Sequence, residues 1–164
     1  RYILYDGIQP LVPLSKELKM IEDYISLEKI RYGNKLDLHI DLPAQTNDLL
    51  IAPLLLLPLV ENCFKHGSSN MLEQPWIHLQ VSITNNQLQM KLLNGKVNNP
   101  VACSNGAGIG IKNVQQRLML LYPGRHELTI TSEEDVFIVN LKLELEQQKE
   151  KRIIHQQQPQ IINA

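Results

Sequence analysis

The order of helical and extended segments constrains the fold of this chain more than any single motif does. Apolar residues recur with helical spacing in three stretches of the 164 residues, at 16–32, 53–66 and 110–122. Apolar and polar residues alternate in five others, at 35–42, 76–83, 87–93, 126–132 and 136–145. The order is helix, strand, helix, hairpin, helix, hairpin. It predicts an α+β two-layer sandwich, in which helices cover one face of a mixed, mostly antiparallel sheet.

The residues at the ends of these segments indicate where several of them stop. Ser15 is a typical capping residue ahead of the first helix, and Gly33 follows its last turn. Pro58 predicts a kink or a restart within the second helix. Asn85 and Asn86 separate two strands by two residues, which predicts a tight hairpin turn.

Composition limits the class of protein. Hydrophobic residues make up 43% of the chain and charged residues 20%, which is typical of one soluble globular domain. The net charge of -1 gives no reason to expect a nucleic-acid partner. Cys63 and Cys103 are too few for a disulfide framework or a zinc site, which favours a reducing compartment. The longest apolar run, 51–60, has about half of the ~20 residues that a membrane span needs. The chain begins without Met or an apolar leader, which indicates a piece of a longer protein.

The stretch ENCFKHG at 61–67 places four polar side chains on one face of the second predicted helix: Glu61, Asn62, Lys65 and His66. A solvated helix face is one explanation. The turns before it are almost entirely Leu, so we expect the helix to be buried on most sides and its polar face to line a cleft. An amide oxygen beside a carboxylate suits a hard divalent cation, and a Lys one turn further suits a phosphate. The stretch therefore predicts a site for a metal and a phosphate.

A second stretch, NGAGIGIKNVQQRL at 105–118, carries glycines at alternate positions before the third predicted helix: Gly106, Gly108 and Gly110. The spacing is not that of a dinucleotide fingerprint, and no P-loop or eukaryotic protein kinase motif is present in the sequence. Residues without Cβ let a backbone approach a ligand closely, and the start of a helix presents free N–H groups to it. The stretch therefore favours phosphate binding, with a flexible turn as the alternative.

Together the two stretches resemble the ATP-binding domain of LytS/YehU-type bacterial sensor histidine kinases. The order of segments across residues 12–145 matches that family: PLLLLPLVENCFKHG, then a hairpin, a loop and GAGIGIKNVQQRLMLLYPG. The resemblance implies the Bergerat or GHKL fold. It also implies three regions: the end of an upstream dimerisation region at 1–11, the ATP-binding catalytic domain at 12–146 and a disordered tail at 147–164.

The resemblance implies a role for each polar residue of the two stretches. Glu61 would be the catalytic residue that polarises or orients the reacting groups, and Asn62 would bind Mg²⁺. Further residues would bind the nucleotide, toward its phosphates or at the start of the third helix: Lys65, His66, Gly106, Gly108, Gly110, Asn113 and Arg117. For Arg117 a structural role, tying its helix to a lid at 95–105, remains an equal alternative.

The sequence also departs from the family. Many members carry an Asp-x-Gly box whose Asp bonds the adenine amino group, and the aligned stretch here is LLNG, with Leu93 in the place of that Asp. Asn94 could accept the bond through its side-chain oxygen. Cys63 stands where a small Ala is common, which we interpret as buried packing.

The implied function is transfer of the γ-phosphoryl group of ATP to a His on an upstream segment that this chain lacks. The acceptor His of the family precedes Phe-Leu-Phe-Asn, and no His here has that context. Implied partners are ATP with Mg²⁺, the upstream dimerisation and phospho-acceptor segment, and a LytTR-type response regulator, with no nucleic acid. The full protein would be a homodimer, and this domain would be cytoplasmic in an inner-membrane protein. An inactive nucleotide-binding or scaffolding module and another GHKL ATPase, such as a serine kinase, remain alternatives.

Overall fold

A computed structural model of the chain describes residues 10–65, 75–95, 109–133 and 135–148. Three α-helices lie in this part of the chain: α1 (Leu14–Tyr32), α2 (Leu57–Cys63) and α3 (Ile109–Leu121). A 3₁₀ turn, Gly33–Lys35, follows α1. The same part holds eight strands: β1 (Val12–Pro13), β2 (Asp37–Asp41), β3 (Leu49–Ile51), β4 (Trp76–Thr84), β5 (Gln87–Gly95), β6 (His126–Ser132), β7 (Val136–Glu144) and β8 (Glu146–Gln147).

Five of the strands form the main sheet, in the order β2-β4-β5-β7-β6. The edge strand β2 runs parallel to β4, and the other neighbouring pairs are antiparallel. The predicted fold class, an α+β arrangement with a mixed and mostly antiparallel sheet, is confirmed.

A smaller sheet, in the order β1-β3-β8, has no counterpart in the sequence prediction. Val12 pairs with Ile51, and Leu50 pairs with Glu146. Gln148 N–H donates to the Asp48 carbonyl over 2.9 Å, which extends the pairing by one bond. Strands of two or three residues show no alternation that a sequence pattern could reveal, because their pairing depends on distant segments.

The two faces of the main sheet differ in polarity, as alternation along its strands requires. One face carries the buried residues Ile77, Leu79, Val81, Leu88, Met90, Leu92, Val139, Leu141 and Leu143. Helix α2 packs against β5 and α3, α3 packs against β6, and α1 packs against α2 and the small sheet. The core therefore lies between the helices and this face, and we call it the inner face. The opposite, outer face carries polar side chains such as His78, Gln89 and Asn140.

Several predicted boundaries change in the structure. Helix α1 begins at Leu14, and Ser15 gives no capping bond because it already lies within the first turn. Gly33 ends this helix as predicted, with φ +57° and its N–H donated to the Lys29 carbonyl. Leu121, the last residue of α3, is exposed, whereas Tyr122, which follows it, is buried.

Helix α2 begins at Leu57 rather than at residue 53. Pro58 lies in its first turn, where a missing N–H costs no intrahelical hydrogen bond, so no kink is needed. The predicted hairpin turn is confirmed: Asn85 and Asn86 have φ of 48° and 62°, and Thr84 pairs with Gln87.

Candidate functional site

Helix α2 presents Glu61 and Asn62 on a half-buried face and Lys65 just beyond its end. Lys65 Nζ lies 3.6 Å from Glu61 Oε2, and the Lys65 side chain is 66% exposed. An exposed pair at this distance contributes little to stability. His66 lies outside the described residues.

The end of α2 is fixed by aromatic side chains from α1. Tyr24 meets the Phe64 ring edge-on, with ring centroids 5.4 Å apart, and the Tyr32 hydroxyl donates to the Phe64 carbonyl over 3.4 Å. Burial, and after it the charges of Glu28 and Glu61, raise the pKa of Tyr24 above its ordinary value. This end of α2 is therefore packed against α1 while Glu61 and Asn62 keep partial access to solvent.

Cys63 is fully buried on α2, and burial raises the pKa of its thiol to about 12. The thiol stays protonated at neutral pH and is unreactive. Its interpretation as a packing residue is consistent with this environment.

The turn before α2, residues 52–56, is bound by a carboxylate from α1; we call these residues the lead segment. Glu17 is fully buried. Its Oε2 accepts the N–H of Leu54 over 2.9 Å, and its Oε1 accepts those of Leu55 and Leu56 over 2.9 and 3.0 Å. Three N–H groups that α2 does not use internally are thus satisfied by one side chain.

Residues of α3 and the turn after it bind the same segment from another side. The Arg117 guanidinium donates to the carbonyls of Leu54 and Pro53 over 2.7 and 2.6 Å. The Tyr122 hydroxyl accepts the N–H of Ala52 over 2.8 Å. These contacts support a structural role for Arg117. Its observed partner is the lead segment, and the lid to which it was expected to bind lies almost wholly outside the described residues.

Asn94 lies near the end of β5 with its side chain on the inner face, 1% exposed, in register with Ile77 and Phe137. Its Nδ2 donates to the Gly95 carbonyl over 2.9 Å, which fixes the orientation of the amide. Its Oδ1 is buried and has no hydrogen-bond partner among the described residues. Leaving a buried acceptor unpaired costs about 1–3 kcal/mol. This atom is therefore an acceptor available to a ligand.

Leu93, which the sequence aligned with the adenine-binding Asp of related domains, lies on the outer face. It pairs in register with His78 and Ile138 and alternates with the buried Leu92 and Asn94. The sheet itself therefore separates the Leu93 side chain from α2 and α3, whereas Asn94 faces them.

Helix α3 begins at Ile109, and Gly110 and Asn113 are exposed in its first two turns. A Cβ built on Gly110 meets no described atom within 4 Å, so packing within the described residues does not require a glycine there. Gly106 and Gly108 lie outside the described residues, as does most of the expected lid.

The predicted site residues that can be located lie on three elements that pack together. Helix α2, with Glu61 and Asn62, contacts both β5, with Asn94, and α3, with Gly110 and Asn113. Oxygen and nitrogen groups for a polar ligand are thus gathered around α2.

Sequence reasoning missed Glu17. The residue lies four positions before Ile21 on the buried stripe of α1, where a charged side chain has no place unless it is bound. A carboxylate on an apolar stripe was the signal that could have revealed it.

No α-helix in the described part of the chain is both long and apolar enough to cross a membrane. Across those same residues, His, Cys, Asp and Glu side chains form no group of three or more that could hold a metal ion.

Comparisons with known proteins agree with this architecture. A family model described as "Histidine kinase" matches residues 1–36. The sensor protein LytS of Staphylococcus epidermidis is 28% identical over 151 residues, which is 85% of this chain and 26% of that protein. The chain thus spans about a quarter of the length of the curated relatives it matches.

Solved structures share the fold. The histidine kinase domain of a blue-light-activated kinase from Erythrobacter litoralis superposes with a TM-score of 0.57 at 20% identity, over 84% of this chain and 69% of that one. Full-length ShkA in complex with AMPPNP superposes with a TM-score of 0.58 at 15% identity, over 87% of this chain and 33% of that one. The chain is thus similar in sequence to LytS sensor proteins, and it has the fold of histidine kinase catalytic domains.

Proposed function

We propose that this chain is the ATP-binding catalytic domain of a two-component sensor histidine kinase, and that the γ-phosphoryl group goes to a His on an upstream segment of the same protein. The observation that carries the proposal is Asn94 Oδ1, a buried acceptor with no partner among the described residues. The amino group of adenine is a donor that would satisfy it. AMPPNP is an ATP analogue, and its presence in the ShkA structure supports a nucleotide in this fold.

The residues around α2 would hold the metal and the phosphates. Asn62 supplies an amide oxygen and Glu61 a carboxylate, which are donors that Mg²⁺ prefers. Bound Mg²⁺ would neutralise phosphate charge, which is most of what a phosphoryl-transfer site must do. Glu61 would orient the reacting groups, and Lys65 and His66 would lie toward the phosphates.

The N–H groups at the start of α3 would hold the triphosphate, together with Gly106, Gly108 and Gly110. Asn113, one turn further, is exposed on the same helix and could reach the nucleotide. Residues 95–105 would close over it as a lid. Arg117 would not contact the nucleotide and would instead hold the lead segment through Pro53 and Leu54.

The proposal includes the partners of the whole protein. The acceptor segment would also dimerise the protein, and a response regulator, of LytTR type by resemblance, would receive the phosphoryl group. The domain would lie on the cytoplasmic side of an inner-membrane protein.

Calorimetry of the chain with Mg-ATP and with Mg-ITP tests the nucleotide role. ITP carries a carbonyl oxygen where ATP carries the amino group, so it would face Asn94 Oδ1 with a second acceptor. We expect ATP to bind and ITP to bind about tenfold more weakly or worse, the equivalent of one unpaired buried acceptor. Equal affinities would show that Asn94 does not read the base, and binding of neither nucleotide would contradict the proposed function.

A further inference from the structure

The lead segment is held by two charged side chains, Glu17 of α1 and Arg117 of α3. Glu17 places a fully buried carboxylate against three consecutive N–H groups, those of Leu54, Leu55 and Leu56. Burying a carboxylate is costly unless hydrogen bonds compensate, and bonds to an ionised acceptor are stronger than neutral ones. Glu17 therefore fixes the position of this backbone relative to α1 more tightly than apolar packing would.

Leu54 is held from both sides and is strained. Glu17 binds its N–H, and Arg117 binds its carbonyl. Its φ of 56° lies in the left-handed region, which costs a residue with a side chain about 1–2 kcal/mol. Such conformations persist where the surroundings over-determine them, and they cluster at functional sites.

The segment leads directly into α2, which has only seven residues. Any shift of the first turn of so short a helix is carried to Glu61 and Asn62. Because Tyr24 and Tyr32 bind Phe64, α1 holds both ends of α2, through Glu17 at its start and two aromatic rings at its end.

We propose that Glu17 is a positioning residue for the site on α2: it fixes the lead segment and thereby sets where Glu61 and Asn62 meet the metal and the phosphates. This inference rests on the proposed function. Glu17 does not itself contact the nucleotide, since its carboxylate is fully buried against the backbone. It acts through the backbone that it binds.

Glu17→Gln is the sharpest variant, because it keeps the shape of the side chain but turns one oxygen toward the segment into an N–H donor. We expect the Kd for Mg-ATP to rise about tenfold or more, as for other residues that orient ligating groups, with an unchanged stoichiometry by calorimetry. Glu22→Gln removes a carboxylate from the exposed face of the same helix and serves as the matched control, with wild-type affinity. Measurements are made below the melting temperature of each variant.

A merely structural role gives a different result. Loss of folded protein would lower the stoichiometry and leave the Kd of the folded fraction unchanged, and that outcome would overturn the inference. Failure of the wild-type chain to bind Mg-ATP would instead overturn the proposed function, and this inference with it.

If Glu17→Gln does not fold, hydrogen exchange on the wild-type chain tests whether the lead segment is coupled to nucleotide binding. If opening of the lead segment destroys the site, saturating Mg-ATP must slow exchange of the Leu54, Leu55 and Leu56 amides. The amides of Val81 and Met90, in the β4–β5 hairpin, provide the comparison. Exchange at Leu54–Leu56 that is unchanged by Mg-ATP would overturn the inference.

Discussion

At the residue scale, Asn94 shows how a site can cost the protein stability. The side chain has apolar neighbours in register, Ile77 and Phe137, and satisfies only its Nδ2. A leucine has nearly the same shape and no polar atom to leave unpaired. A residue that is kept for binding can thus occupy a position where another residue would make the folded protein more stable.

Asn94→Leu should therefore separate stability from binding. We expect the melting temperature of the free chain to be unchanged or higher, because the unpaired acceptor disappears. The affinity for Mg-ATP should fall about tenfold or more, because the adenine amino group loses its acceptor. Asn140→Leu, the same change on the outer face of β7, is the control. A destabilised variant with wild-type affinity would contradict the role given to Asn94.

At the scale of elements, polar contacts from Arg117 and Tyr122 add to the apolar packing of Val114 and Leu118 in joining α3 to the rest of the molecule. The hydroxyl of Tyr122, just after α3, accepts the N–H of Ala52, just after β3. Both residues are buried, at 2% and 0% exposure. Burial raises the pKa of the Tyr122 hydroxyl above its ordinary value, so the hydroxyl stays neutral at physiological pH.

Tyr122→Phe should destabilise the chain by about 1–3 kcal/mol, because it leaves the buried N–H of Ala52 without its acceptor. Urea unfolding followed by circular dichroism measures the change. Tyr32→Phe removes a half-buried hydroxyl with a long 3.4 Å bond, and this control should cost about 0.5 kcal/mol or less. Equal decreases in the free energy of unfolding of the two variants would show that the Tyr122 hydrogen bond does not anchor α3.

At the scale of the molecule, the sheet separates His39 and His78 from the proposed site. His39 and His78 face outward from β2 and β4, with ring centroids 4.5 Å apart. His126 Nδ1 lies 2.7 Å from the Tyr122 carbonyl. None of these three lies on α2 or α3 or has the sequence context of a phospho-acceptor. His66 and His155 lack that context too.

The chain incubated with γ-labelled Mg-ATP should therefore not label itself. Addition of the acceptor segment of the same protein should produce label that acid removes, as phosphohistidine requires. Binding of Mg-ATP without transfer would indicate an inactive nucleotide-binding module, and acid-stable label would indicate a serine kinase. Stable labelling of His39, His78 or His126 would contradict the proposed route.

Local patterns accounted for most of the elements. The β4–β5 hairpin followed from alternation on either side of Asn85 and Asn86, and the end of α1 followed from Gly33. These features depend on neighbouring residues alone, which is why they could be read without the fold. The polar face of α2 was also visible, since helical spacing determines which side chains share a face.

The sequence by itself determined the succession of the three helices and of the five strands of the main sheet, the fold class and the candidate residues on α2 and before α3. Only the tertiary structure decided that α2 starts at Leu57, that Asn94 and not Leu93 faces the helices, and that Glu17 and Arg117 bind the lead segment. The physical reason is distance along the chain. Glu17 finds its partners 37 to 39 residues away and Arg117 finds its own 63 and 64 residues away, so no local pattern records them.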